Sequence, residues 1–291
     1  MTMTVIPPSR GMRPRGLWPS RLLPWLLALG LLASSGGGAL AAKRPFITLA
    51  SSTSTENSGL FAAILPCFTA ENGIDVRVVA VGTGQAIRLA RNGDADVLLV
   101  HHRASEDRFV AEGLGVGRRD VMYNDFVLVG PGDDPAGIAG LADVGEALGG
   151  VARARAPFVS RGDDSGTHKK EMALWRAAKV DPKAASGDWY REVGAGMGAA
   201  LNISASMGAY VLADRATWIA FKNKRVLRVL VEGDLRLFNP YGVILVNPQR
   251  HPHVKAKEGQ AFSAWLTGPS GRAAISAFRL EGRQVFFLPG S

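Results

Sequence analysis

The feature that most constrains this chain is an alternation of short apolar runs and helical patterns, with glycine or hydroxyl residues at each handover. Phe46 to Ala50 reads as a strand, and the hydroxyl cluster Ser51-Ser52-Thr53-Ser54-Thr55 follows it. Ser58 is placed to cap a helix through Leu60, Ile64 and Phe68, with Pro66 inside it and Asn72-Gly73 closing it. Val76 to Val81 is a second strand. Gly82-Thr83-Gly84 then opens a helix from Gln85 to Arg91, and Asn92-Gly93 precedes a third strand, Val97 to Val100. This order predicts a parallel α/β sheet.

Two longer β-prone runs follow, Val121 to Val129 and Val243 to Val246. The segment between them has its own signals: strand-like at Pro157 to Arg161, helical at Gly166 to Lys179, and helical again at Ala209 to Phe221. Two arrangements fit. One is two lobes, the second inserted into the first, with two extended segments crossing between them. The other is a single large sheet with helices on both faces. Periodicity does not choose between the two.

The N-terminus reads as an export signal. Arg10, Arg13, Arg15 and Arg21 precede the apolar run Leu22 to Ala33, and Ala39-Leu40-Ala41 supplies a cleavage pattern. The run is shorter than the roughly 20 apolar residues of a spanning helix. Residues 1–41 are therefore expected to be a cleavable signal peptide, and with no cysteine beside the cleavage pattern the product is not a lipoprotein. Those residues hold four arginines and no acidic residue, so the net charge falls from +9 to +5 without them. The basic balance that suggests a nucleic-acid partner is thus in part a leader. The densest remaining basic run, Lys222, Lys224 and Arg225, lacks interleaved aromatics, and no nucleic-acid partner is expected. The single cysteine, Cys67, cannot form an internal disulfide and is expected to be a small buried filler. No cysteine or histidine pair has zinc-site spacing, so no metal site is expected.

The chemistry gathers where strands hand over to helices. Ser51 to Thr55, Gly82-Thr83-Gly84, and Arg161-Gly162-Asp163-Asp164-Ser165-Gly166-Thr167 all lie at strand ends. In open α/β sheets ligands sit at those ends, where helix N-termini offer free N–H groups and a positive dipole end. Hydroxyls and the planar fork of Arg161 add donors suited to an oxyanion. Taken singly, each cluster is also what an ordinary N-cap or βα turn looks like. The phosphate-loop spacing G-x-x-x-x-G-K-[ST] is absent. His168 lies three residues from Ser165, but no G-x-S-x-G elbow accompanies the pair, and no catalytic residue is assigned.

At these residues the sequence resembles the periplasmic tungstate-binding proteins of ABC importers, the TupA type. The likeness runs from about Ile47 to Pro248. It includes Ala50 to Gly59, Gly82 to Ala86, Asn92 to His101, Val121 to Phe126, Ser160 to Glu171 and Asn239-Pro240-Tyr241. The Arg161 to Thr167 segment also looks like the arginine and Ser-Gly-Thr loop of phosphate-binding proteins. The resemblance implies a class II periplasmic binding protein fold of two α/β lobes joined by two crossing hinge segments. Lobe I would comprise 42–127 and 241–291, and lobe II 128–240. The family's Thr-Thr-Thr-Ser motif falls on Ser51, Ser52, Thr53 and Ser54, so the first two positions keep the hydroxyl and lose a methyl. Its ligand-binding arginine and threonine fall on Arg161 and Thr167.

Ser52, Thr53, Ser54, Thr83, Arg161, Ser165, Gly166 and Thr167 are thus the expected oxyanion ligands, with Thr83 drawn from its strand-end position alone. The implied role is that of a monomeric, non-enzymatic periplasmic component that needs no cofactor. It would capture tungstate and deliver it to a permease in the inner membrane. Molybdate, sulfate or phosphate are the alternative ligands, and an exported enzyme acting on an anionic substrate is the alternative of a different class. Tungstate, molybdate and sulfate only accept hydrogen bonds near neutral pH, whereas phosphate keeps a proton and favours a site with a carboxylate. Asp163 and Asp164 are the carboxylates near these clusters in sequence.

Overall fold

A computed structural model describes residues 44–290 of the chain, and the expected signal peptide over 1–41 lies outside them. Strand β1 (Phe46–Ser52) runs between β2 (Asp75–Val81) and β3 (Val97–Val100), parallel to both. Helices α1 (Thr53–Asn57) and α2 (Leu60–Asn72) fill the first crossover and α3 (Thr83–Asn92) the second. Leu60, Phe61, Ile64 and Phe68 recur at helical spacing and bury one face of α2, which continues through Pro66. Gly93 ends α3 in the left-handed region at φ +80°, which a side chain would disfavour.

Next come α4 (Arg103–Ala111) and the 17-residue strand β4 (Gly115–Pro131). They lead to α5 (Val144–Ala154), β5 (Phe158–Ser160), α6 (Gly166–Ala177), β6 (Tyr190–Glu192) and α7 (Met197–Met207). Then follow β7 (Tyr210–Asp214), α8 (Arg215–Ala220), β8 (Leu227–Val231) and β9 (Phe238–Val246), which returns antiparallel to β4. Helices α9 (Ala256–Thr267) and α10 (Pro269–Ala277) and a two-stranded ladder of β10 (Arg279–Leu280) and β11 (Arg283–Gln284) complete the described part.

Among the described residues the large sheet runs β2-β1-β3-β9-β4-β7-β5-β6, with β8 also paired to β4. Strand β4 pairs with β9 through Asp125 and with β7 from Phe126 onward. At that change of neighbour Arg215 donates to both oxygens of Asp125, at 2.6 Å each, and also meets Glu232 at 2.7 Å. Alternation sends side chains to both faces. Ile47, Leu49, Val97 and Leu99 join one core while Ala50, Leu98 and Val100 join another. Phe126 and Leu128 repeat the division against Val127 and Val129 at the other end of the sheet.

Three expectations are corrected. Ala209 to Phe221 is not one helix: Tyr210–Asp214 is strand β7, buried on both faces, and Asp214 then caps α8 by accepting from Thr217 N at 2.9 Å. A short apolar run without alternation has no period to distinguish strand from helix. Cys67 is exposed, because it falls off the Leu60–Ile64–Phe68 face of α2. Ser58 ends α1 and Gly59, at φ +79°, holds the N-cap position of α2, so Ser58 serves α2 only through its hydroxyl, which accepts from Leu60 N at 3.3 Å.

Candidate functional site

Parallel strands β1, β2, β3 and β5 all end on one polar cluster. Ser51, at the end of β1, donates to Leu99 O at 2.7 Å, tying β1 to β3. Ser52 caps α1 by accepting from Thr55 N at 3.3 Å. Its Oγ lies 3.1 Å from Ser54 Oγ and 2.7 Å from Thr55 Oγ1, so three hydroxyls form a buried chain. Thr53 is half-buried beside them. Thr83 is the first residue of α3, and its fully buried Oγ1 has no hydrogen-bond partner in the protein.

Arg161 follows β5 and is 2 % exposed. Its Nη2 donates to Asp163 Oδ2 at 2.5 Å and its Nη1 to Thr167 Oγ1 at 3.4 Å, while Nε has no partner. Ser165 caps α6 by accepting from His168 N at 3.2 Å, and Gly166 and Thr167 form the buried first turn. The imidazole of His168 is engaged elsewhere than at that serine's hydroxyl, its Nδ1 accepting from Asp164 N at 3.1 Å. Neither carboxylate of the loop is idle. Asp163 holds Arg161 and accepts from Ser165 N at 3.2 Å, and the exposed Asp164 pairs with Lys169 and Arg88.

These pieces come from distant parts of the chain and meet closely. A Cβ on Gly82 would lie 3.6 Å from Asp163 O, and one on Gly166 would lie 2.9 Å from Thr83 Oγ1. The N-termini of α3 and α6 therefore face one another, and their dipoles add to the charge of Arg161. Ser52, Ser54, Thr83, Arg161, Ser165, Gly166 and Thr167 are all buried at this junction.

Sequence reasoning missed four members. His101, at the end of β3, has Nε2 3.1 Å from Ser54 Oγ and Nδ1 3.0 Å from Asn239 Oδ1. Asn239 Nδ2 donates to Asn124 Oδ1 at 2.7 Å, across the directly paired positions of β9 and β4. Asp214 is fully buried, and its carboxyl is raised above the ordinary range by burial although Arg161 works against that. His101 and the two asparagines sat inside stretches quoted for the family likeness, but only strand register brings them together. Burial pushes His101 down to about 4; the Asn239 hydrogen bond opposes this, and the charges of Arg161, His102 and Lys170 reinforce it. Among the described residues, no three His, Cys, Asp or Glu side chains are grouped to hold a metal ion. The cluster is rich in donors: Thr83 Oγ1, Asn124 Nδ2 and Arg161 Nε are buried without a partner, beside one unpartnered acceptor, Asp214 Oδ2.

The sequence matches the PBP superfamily domain over residues 37–270. It is 43% identical over 274 residues to the tungstate-binding protein TupA of Peptoclostridium acidaminophilum, covering 90% of this chain and 95% of that one. Among solved structures it is similar to the tungstate-binding protein TupA from Desulfovibrio alaskensis G20, with a TM-score of 0.73 and 42% identity. That likeness covers 85% of this chain and all of the other. A tungstate ABC transporter structure from Geobacter sulfurreducens matches with a TM-score of 0.73 and 49% identity, over 80% of this chain and 98% of that one.

Proposed function

The chain belongs to the PBP superfamily, among its TupA-type periplasmic binding proteins, and from that premise we propose that it captures tungstate for an ABC importer. The observation that carries this reading is the pair of buried, unpartnered donors, Thr83 Oγ1 and Arg161 Nε, at facing helix N-termini. A buried donor without a partner is costly, and a fully deprotonated oxyanion supplies only acceptors. Ser52, Thr53, Ser54, Ser165, Gly166 and Thr167 complete the ligand set, through hydroxyls and the first N–H groups of α6.

In this reading 42–127 with 241–291 forms one lobe and 128–240 the other, and the anion sits between them. Strands β4 and β9 are the crossing segments about which the lobes close. The loaded protein, a monomer in the periplasm after loss of its leader, hands the anion to the permease in the inner membrane. It needs no cofactor and performs no chemistry on its cargo. The engagement of Asp163 by Arg161 and Ser165 N supports tungstate over phosphate, because the carboxylate of that loop is already occupied by donors of its own.

The test is thermal unfolding of the mature protein with micromolar tungstate, molybdate, sulfate and phosphate. A large rise with tungstate and little with sulfate or phosphate is expected. Equal shifts with all four would overturn the selectivity, and no shift with any would overturn the reading.

A further inference from the structure

The hydrogen-bond chain behind the hydroxyl cluster has a direction that its atoms fix. Asn239 Nδ2 donates to Asn124 Oδ1 at 2.7 Å, so the Asn239 oxygen is the atom facing His101. An amide oxygen only accepts, and His101 Nδ1 therefore carries the ring proton. The neutral ring then has only a lone pair at Nε2, which faces Ser54 Oγ at 3.1 Å. The one hydroxyl proton of Ser54 is committed to that nitrogen. Ser54 Oγ is then left with lone pairs only, with Ser52 Oγ 3.1 Å away, which is the wrong polarity for a dianion that only accepts.

We propose that His101 is a specificity-determining residue that takes up a proton when the oxyanion binds, converting Ser54 from acceptor to donor. This rests on the oxyanion reading of the same site. One proton from solvent adds to Nε2, no other bond changes, and the resulting N–H donates to Ser54 Oγ. The Ser54 proton is thereby free to turn to an anion oxygen. The imidazolium charge is offset by the dianion, so a fully deprotonated guest meets one more donor and one more positive charge.

The surroundings of the ring support the coupling. Arg161 after β5, Lys170 on α6 and the adjacent His102 all disfavour a charged ring. Phe126 of β4 and Tyr241 of β9 pack on it at 6.2 and 5.0 Å between centroids, and the charge of Asp214 bears on Tyr241. The backbone of Gly166 comes close to Cε1 and Nδ1 of the ring. Among the described residues no carboxylate is hydrogen-bonded or ion-paired to the ring, whose partners are Ser54 and Asn239, so no direct contact balances its charge in the free protein. An arriving dianion is the group that does so.

The experiment is calorimetric titration of the mature protein with tungstate at pH 7, in buffers of different ionisation enthalpy. The expected result is net proton uptake, approaching one per anion, with affinity falling up to about tenfold per pH unit above the pKa of the loaded ring. His101→Gln should bind with that uptake gone. Nitrogen chemical shifts of the wild-type ring should report an Nδ1–H tautomer without anion and an imidazolium with it, a readout that does not depend on the variant folding. Binding without uptake, uptake persisting in His101→Gln, or a ring that stays neutral when loaded would each overturn the proposal. Absence of any binding would instead overturn the oxyanion reading beneath it.

Discussion

A Cβ placed on Gly166 would stand 2.8 Å from Cε1 of His101, inside the closest approach that real side chains make. The first turn of α6 can reach the end of β3 only because that position has no side chain. Gly166→Ala is therefore expected to push α6 away from α3 and weaken tungstate binding at least tenfold. At Gly84 the nearest atom is the free end of the exposed Asp164 side chain, so Gly84→Ala should cost less. Calorimetric affinities for the two variants check the contrast, and equal losses would contradict it.

Arg161 is the buried cation of the site and its fork is shared between Asp163 and Thr167. Hydrogen bonds to a charged group contribute roughly 1.5–3 kcal/mol each, so loss of two from Arg161→Ala should lower affinity by about a hundredfold or more. Arg161→Lys keeps the charge and loses the planar fork, and should fall between the variant and the parent. Titration with tungstate and molybdate, with circular dichroism to verify folding, tests the order.

Glu171 lies beneath the site on α6, accepting from Tyr190 OH at 2.7 Å and Trp175 Nε1 at 3.3 Å. Burial raises its carboxyl from 4.5 to about 7, despite the hydrogen bonds that work against the rise. Between those values the folded protein holds a proton that the unfolded chain has lost. The stability this contributes is full below pH 4.5 and disappears as pH rises through 7. Glu171→Gln removes the dependence. Relative to the parent, its stability should improve by about 1–3 kcal/mol between pH 5 and pH 8, read from denaturant midpoints without anion. Parallel profiles would show that Glu171 does not titrate in this way. The lowered His101 gives the opposite slope, but it is common to both proteins and cancels in the difference.

Cys67 points to solvent from the outer side of α2. The native protein should react with a thiol reagent at one equivalent without denaturant. Cys67→Ser should change stability by no more than about 0.5 kcal/mol, as an exposed substitution does. A thiol that reacts only after unfolding would return it to the core.

The first three strands were legible because each is a short apolar run bounded by Gly, Asn-Gly or hydroxyl residues. The cap at Ser165 was legible because a cation, two aspartates and a glycine gather at a helix start. Strand β7 was not, since Tyr210 to Asp214 is buried throughout and carries no period. Cys67 was misread because an apolar neighbourhood in sequence hides which helix face a residue occupies. His101, Asn124 and Asn239 were invisible as a unit. His101 and Asn239 are 138 residues apart, and Asn239 and Asn124 are 115 apart. Their contact is created by the register of β3, β9 and β4, which local pattern does not encode.

Strand β4 has a mechanical consequence. Its 17 residues extend at most about 56 Å, as one bulged beam shared by both ends of the sheet. Melting either end strips the ladder from part of the same strand and leaves a bare edge for the other to bear. The two ends are thereby wedded in unfolding even though they carry separate cores. Between them the beam has only two strands, β4 and β9, and a two-stranded ribbon twists more readily than a wide sheet. Rotation of the halves thus needs no ladder to break, which is what the proposed closure about an anion requires of a body whose halves denature together.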